Sequence, residues 1–455
     1  MMRLHDAAQM AGGKASGADV ELAGVVTDSR ADCAGALFVA LQGPRFDGHD
    51  FVPQALQQGA AAALVSRPLA TPIPQILAPD TRVALGRLAA AWRRRHPARV
   101  VGVTGSNGKT TVKEMLAAIC AEAGPTLATR GNLNNDIGVP LTLLKLNASH
   151  RYAVIEMGAN HPGEIAALSR LAGPEAAVIT NAGAAHLEGF GSLAGVAQAK
   201  GELLTTLPAT GVAVLNADDA NFSLWREMAG ERRVVSFGAS PAAQVRVVED
   251  TLTQQCGADG FVTGFDLAWD GKRYPLRLAL AGRHNAVNAA AAVAAALALG
   301  LDMAQAQQGL ARLQAVPGRL QAVPGRNGAL LLNDSYNANP ASFAAGLEAL
   351  AHCPGERWVA LGGFGELGAD SAALHTELGR MSRRDGVTRL FATGPLADKA
   401  VDGFGAGGVY FSSQDELIAA LRDGLQRDVV LLVKGSRSQK MERVVEALRA
   451  TKDLM

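Results

Sequence analysis

Residues 100–111 read VVGVTGSNGKTT. An apolar, β-branched run ends near Val103, a glycine-rich turn follows, and a helix-compatible stretch begins near Thr110. Strand, turn and helix in that order aim backbone N–H groups and a helix N-terminus at an anion. The stretch almost fits the phosphate-loop pattern G-x-x-x-x-G-K-[ST]. Val103 stands where the first glycine belongs, and Gly105 comes two residues later. On this reading Gly105, Ser106, Asn107 and Gly108 form the cradle and Thr111 ends the motif. Lys109 meets the β- and γ-phosphates of a nucleotide, and Thr110 holds Mg²⁺. The competing reading is a glycine-rich turn with no ligand, and the strand and helix on either side weigh against it.

A phosphate loop needs an acid for its metal on a neighbouring strand. YAVIEMG supplies Glu156 at the end of an apolar strand. Buried strands carry an acid when it is paired or binds a cation, so a salt-bridged Glu156 is the alternative. The next strand, AAVITN, leads to His186, just past a strand end where open sheets bind ligands. Lys200 lies in a helix reading AxxKGEL and, taken alone, reads as a solvated lysine.

Working outward, strands (VVGVT, YAVIEM, AAVITN, GVAVLN) alternate with helices near 110–122, 162–171, 192–206 and 219–228, which predicts a buried, mostly parallel sheet. Residues 243–281 read as antiparallel strands attached to it, followed by helices near 285–299 and 302–312. Before this unit, residues 1–81 hold short strand-like pieces and one helix near Pro53–Gln58. After it comes a tandem heptapeptide, LQAVPGRLQAVPGR, at 313–326, whose two Pro-Gly turns suggest a hinge or linker. Alternation then resumes to the end, as in a second open, Rossmann-like unit. The expectation is an α/β protein of three domains, 1–81, 82–315 and 316–455.

The chain has 455 residues, 48% of them hydrophobic, and a formal net charge of +1, which gives no reason to expect nucleic acid or an anionic membrane as partner. The N-terminus lacks the apolar core of a signal peptide, and the longest apolar run, 289–301, is shorter than the ~20 residues a span requires. A cytoplasmic protein is expected. Cys33, Cys120, Cys256 and Cys353 form no C-x-x-C pair, and four unpaired thiols are the expectation.

Beyond these local readings, TGSNGKTT, GNLNNDIGVP, IEMGANHPGEI, NAGAAHLEGFGSLAGVAQAKGE, AGRHNAVNA, VPGR and NDSYNANP, in this order and spacing, resemble the Mur ligase family. DSRADCAGALFVALQGPRFDGHDF resembles its nucleotide-sugar domain. The resemblance spans nearly the whole chain and is strongest to the branch that adds D-alanyl-D-alanine to UDP-N-acetylmuramoyl-tripeptide, the last cytoplasmic step of pentapeptide precursor synthesis. The family's loop, T-G-[ST]-x-G-K-T-[ST], accommodates Val103 and uses Gly105.

The resemblance implies an ATP-dependent amide ligase. ATP phosphorylates the peptide's terminal carboxylate, and the incoming amine displaces phosphate from the acyl phosphate. Lys109 and Thr110 keep the roles given above. Glu156 shares the Thr110 Mg²⁺, and His186 holds a second Mg²⁺. Lys200 matches a lysine carbamylated by CO₂, an anionic metal ligand. Asn285 and Asn288 match adenine contacts, although Asn285 also reads as a helix cap. Arg319 matches a hinge arginine on the ATP phosphates, with Arg326 as its decoy in the second heptapeptide, and Asp334 matches an acid on the ribose. Asn134, Asn135, Asn160, His161, Tyr336 and Asn337 fall on the substrate side. Asp28, Ser29 and Arg30, with Arg45, Phe46, Asp47, Gly48 and His49, match the UDP-sugar pocket, where polar groups capping their own turns are the competing reading. Lys434, Ser436 and Arg437 lie where the amino substrate docks. A monomer is expected.

The stretch LGGFGELG, 361–368, departs from the family's G-D-M-x-E-L-G, with Gly363 for the Asp and Phe364 for the Met; Glu366 and His375 remain. A P-loop switch or mechanical NTPase is the reading from another class. It lacks an N-K-x-D signature here and leaves DSR and NDSYNANP unexplained. Related ligases that add diaminopimelate, lysine or folate-linked glutamate are nearer rivals. GNLNNDIGVP and GANHPGEI favour the D-alanyl-D-alanine branch, and a folate ligase has no use for a UDP-binding domain.

Overall fold

Three open sheets follow one another along the chain in this computed structural model, which describes residues 1–183, 187–257 and 260–450. The first sheet has five strands between Lys14 and Leu77, with parallel pairing at its centre. The helix Leu4–Ala11 packs against the long helix Thr81–Arg94, whose start is capped by Asp80 accepting from Arg82 and Val83 N–H.

The central sheet has nine strands. Arg99–Thr104 lies between parallel partners Tyr152–Glu156 and Ala176–Ile179, and apart from the half-exposed Arg99 at its start every residue of the three strands is buried, as their apolar runs require. Glu156 sits opposite Val103, so the acid and the phosphate loop leave the sheet side by side. The expected antiparallel strands are Val245–Gly257, Gly260–Trp269 and Lys272–Leu278. Two further strands, Thr126–Ala128 and Arg233–Gly238, escaped the sequence reading; each is short or has a polar start.

The third sheet has six strands, and its edge, Gln321–Pro324, comes from the second heptapeptide. That peptide is therefore not linker. Pro324 is tolerated because an edge strand leaves one side of its backbone outside the ladder. Ala397–Phe404 is a helix that the sequence reading omitted between the 389–393 and 408–411 strands.

The cysteine expectation needs correction. Cys33 and Cys120 are buried free thiols, but Cys256 and Cys353 form a disulfide. Cys256 ends the long antiparallel arm of the central sheet, and Cys353 follows the helix Pro340–Ala351 of the third unit. The arm lies over that unit, and its Phe261 joins the third unit's core beside Phe343 and Leu347. A contact between residues 97 positions apart leaves no trace in local spacing.

Candidate active site

The phosphate loop shows why Gly105 is required and position 103 is not. Val103 is fully buried strand core, whereas Gly105 has φ 143° and a Cβ there would lie 1.9 Å from Thr180 Oγ1. Gly108, at φ 80°, caps the helix Lys109–Ala121, and a Cβ there would strike Asn288 Oδ1. The loop is braced by the next strand end. Asn107 N–H donates to Asn181 Oδ1, and Thr180 Oγ1 and Asn181 Nδ2 donate to the Asn107 carbonyl. Lys109 folds back to donate to the Gly105 and Ser106 carbonyls; burial lowers its pKa.

Glu156 is buried. Its carboxylate accepts from Thr110 Oγ1 at 2.8 Å and Asn134 Nδ2 at 2.8 Å, both neutral donors. A buried carboxylate beside a hydroxyl, with oxygens to spare, is a donor set suited to Mg²⁺, which completes its shell with phosphate oxygens and water. No cluster of three or more His, Cys, Asp or Glu is found among the described residues. His186 lies outside them.

Lys200 is not a solvated helix lysine: it is buried, 5.3 Å from the Phe190 ring, and burial pulls its pKa down to about 7. Asn285 is not the helix cap. Gly282 takes that position, while Asn285 Nδ2 donates to the Ala281 carbonyl and Asn288 Nδ2 to Asn285 Oδ1.

Arg319 Nη2 donates to Thr110 Oγ1 at 2.8 Å and its guanidinium stacks 4.5 Å over Tyr336. Arg326 is exposed and lies away from the cavity. Asp334 accepts from Lys434 and from Leu320 N–H; burial raises its pKa against these partners.

These groups line one cavity of about 770 Å³ between the second and third units. It takes in Ser106 to Thr111, Asn134, Asn135, Glu156, Asn160, Lys200, Asn285, Asn288, Arg319, Asp334, Tyr336, Asn337, Lys434, Ser436 and Arg437. The sequence reading missed Asn181, Glu164, Asp218, His284 and Asn339, which line it too. Asn181 had a signal, since it ends the quoted strand AAVITN. His284 is half-buried with its Nδ1 shielded from solvent, and desolvation lowers its pKa to about 4. His161 is not part of the lining, and it pairs with Glu164, which is.

The N-terminal candidates lie apart from this cavity and bond largely within their own loops. Arg30 forks onto Asp28, which it holds down at a pKa of about 2. Asp47 accepts from His49 N–H and Arg67, Gly48 and His49 are buried, and Ser29 donates to Gln54. Arg45 and Phe46 are exposed. In the 361–368 stretch, His375 Nε2 accepts from Phe364 N–H and Ser436 Oγ from Gly365 N–H. At Gly363 a Cβ would lie 2.4 Å from the Pro395 carbonyl, so the family's Asp has no room in this backbone.

Fold and cavity together define a three-unit α/β protein whose phosphate loop opens at a junction between units. Family models agree with that class. One described as Mur ligase middle domain matches residues 103–296; Mur ligase, glutamate ligase domain matches 318–437; Mur ligase family, catalytic domain matches 21–93. The chain belongs to the Mur ligase family. It is 46% identical over 439 residues to the UDP-N-acetylmuramoyl-tripeptide--D-alanyl-D-alanine ligase of Escherichia coli strain K12, covering 96% of both chains. The enzyme of that name from Bacillus subtilis is 34% identical, with 93% of each chain covered. Among solved structures, MurF from Acinetobacter baumannii superposes with a TM-score of 0.89 at 36% identity over 97% of both chains. MurF from Thermotoga maritima in complex with ADP gives 0.82 at 30% identity, over 93% of this chain and 96% of that one.

Proposed function

We propose that this chain joins D-alanyl-D-alanine to UDP-N-acetylmuramoyl-tripeptide with hydrolysis of ATP, through an acyl phosphate. One observation carries the reading. A single cavity holds the phosphate loop, the buried side chains of Glu156 and Lys200, and the cations Lys434 and Arg437 of the third unit. A carboxylate is a poor electrophile at neutral pH, and bringing it to the γ-phosphate sets two anions together. Lys109 and Arg319 offset that repulsion in a site shielded from water. Mg²⁺, when bound, supplies Lewis-acid charge at the phosphates, with Thr110 and Glu156 as its protein ligands and His186 and Lys200 on a second ion.

Asn285 and Asn288 face the adenine, Asp334 the ribose, and Asn134, Asn135 and Asn160 the tripeptide. Lys434, Ser436 and Arg437 take the carboxylate of the amino substrate. Asp28 to Arg30 and Arg45 to His49 hold the UDP-sugar. Domain boundaries near 81 and 315 fit this division of labour. We take the enzyme to act as a monomer on cytoplasmic substrates; no described helix is long and apolar enough to cross a membrane.

Lys200 is proposed to act as its carbamate. Carbon dioxide adds to a neutral amine with release of one proton, and a lysine with a pKa of about 7 presents that form at neutral pH. Activity in limiting CO₂ should therefore fall as pH drops through 7, where the ammonium takes over. Lys200→Ala should fold, lose most activity and regain part of it with added short carboxylates; unchanged turnover would sink this role.

The deciding experiment measures phosphate release with each UDP-muramoyl peptide and each amino substrate. Release is expected only when tripeptide and D-alanyl-D-alanine are both present. Equal release with glutamate, or with ATP alone, would overturn the assignment.

A further inference from the structure

We propose that Asn339 is a positioning residue, which registers the third unit on the phosphate loop through the side chain of Asn107. Asn339 is the N-cap of the helix Pro340–Ala351. Its Oδ1 accepts from Ser342 N–H at 2.9 Å, and its own N–H donates to Ser342 Oγ at 3.1 Å. That capping box fixes the amide's orientation: the oxygen turns toward the helix and the Nδ2 group away from it. Nδ2 then donates to Asn107 Oδ1 at 2.8 Å, joining residues 232 positions apart across the cavity.

The other end of the contact is equally constrained. The backbone N–H and carbonyl of Asn107 are committed to Thr180 and Asn181 on the central sheet. What Asn107 presents to the third unit is its side-chain oxygen. One helix cap thus senses the placement of one phosphate-loop residue, and the contact forms only when the units sit in register. Both groups are neutral, so the contact brings no charge of its own to the place where phosphates bind. Arg319 also reaches the loop, but it lies in the connecting heptapeptide; Asn339 belongs to the body of the third unit.

Serine caps helices as well as asparagine does, yet its hydroxyl is too short to reach Asn107. Asn339→Ser therefore separates capping from docking. Aspartate also caps, but it would add a negative charge beside the phosphate loop. The experiment measures thermal midpoint, radius of gyration by small-angle scattering without nucleotide, and the Kd of a non-hydrolysable ATP analogue. Asn339→Ser should keep the midpoint, increase the radius of gyration and weaken the analogue about 2- to 10-fold, the range of one neutral hydrogen bond. Asn339→Asp should weaken it further. In an Asn107→Ala background, Asn339→Ser should change Kd less than about 2-fold, since the partner is already gone.

Equal loss in both backgrounds, or an unchanged radius of gyration, would overturn the proposal. The affinity arm rests on the nucleotide reading above, and the scattering arm does not. A wild type that binds no analogue would count against that reading and leave the docking contact to be decided by scattering.

Discussion

The same seven residues, LQAVPGR, occur twice in succession and fold in two ways. In the first copy, Leu313 closes the core of the central unit, Val316 is half-buried, Gly318 turns at φ 76°, and Arg319 reaches the phosphate loop. In the second copy, Leu320 enters the core of the third unit, and Gln321–Pro324 is an edge strand with Val323 buried. Gly325 there has φ −97°, and Arg326 is exposed in the turn that follows. Intrinsic propensities are identical in the two copies, so they cannot be the cause. The difference lies in what comes next. Arg326-Asn327-Gly328 turns back with Asn327 and Gly328 at positive φ, and the apolar strand Leu330–Asp334 returns beside the second copy. The first copy has no such returning strand and stays a connection. Tertiary partners decide, and local sequence permits both outcomes.

The largest expected effect separates the two arginines. Arg319→Ala removes a cation from the phosphate site and should lower kcat/KM for ATP by about 1.5–3 kcal/mol, roughly 10- to 150-fold. Arg326→Ala should change it less than 2-fold. Equal effects in a steady-state assay would mean that the copies share a role and the comparison fails.

The valines test the opposite copy. Val323→Ala deletes two buried methyl groups and should cost about 1.6 kcal/mol in denaturant unfolding. Val316→Ala, at a half-buried position, should cost less than half of that. A smaller contrast is expected at the glycines. Gly318→Ala forces a side chain to φ 76° and about 3.2 Å from Tyr336 Cβ, at a cost of about 1–2 kcal/mol. The effect should appear mainly as slower turnover, because Tyr336 stacks on Arg319. Gly325→Ala meets no φ penalty, but its Cβ would sit 3.0 Å from the Ala329 carbonyl, so its cost should show in stability alone. Smallest of all should be the change in radius of gyration when ATP analogue and UDP-muramoyl tripeptide are added, a shrinkage that Pro317 and Gly318 replaced together should abolish. Identical scattering with and without ligands would remove the first copy from any closing motion.

Much of this was legible in the chain. Alternating apolar strands gave the central and third sheets, and VVGVTGSNGKTT with YAVIEMG placed the loop and its acid on adjacent strands. What was not legible depended on distant partners. The edge strand Gln321–Pro324 is indistinguishable in sequence from the connection before it. The helix Leu4–Ala11 gains its place from packing on Thr81–Arg94, which no window of seven residues contains. Thr126–Ala128 is too short to show a period. Lys200 looks solvated in its own helix, and its burial comes from the elements around it. Asn339 reads as an ordinary cap, because its second hydrogen bond runs to a residue 232 positions away.

The Cys256–Cys353 bond changes the mechanics of the junction. The chain passes from the central to the third unit at the first heptapeptide, and the disulfide is a second covalent crossing at a different place. A body pinned at one point can rotate about three axes. Pinned at two, it keeps only rotation about the line that joins them. With the bond intact, any relative placement of the two units must keep Cys256 beside Cys353 as well as the connecting heptapeptide unbroken. Reduction removes the first of these conditions, so the loop and the Asn339 cap must then find each other among a larger set of orientations.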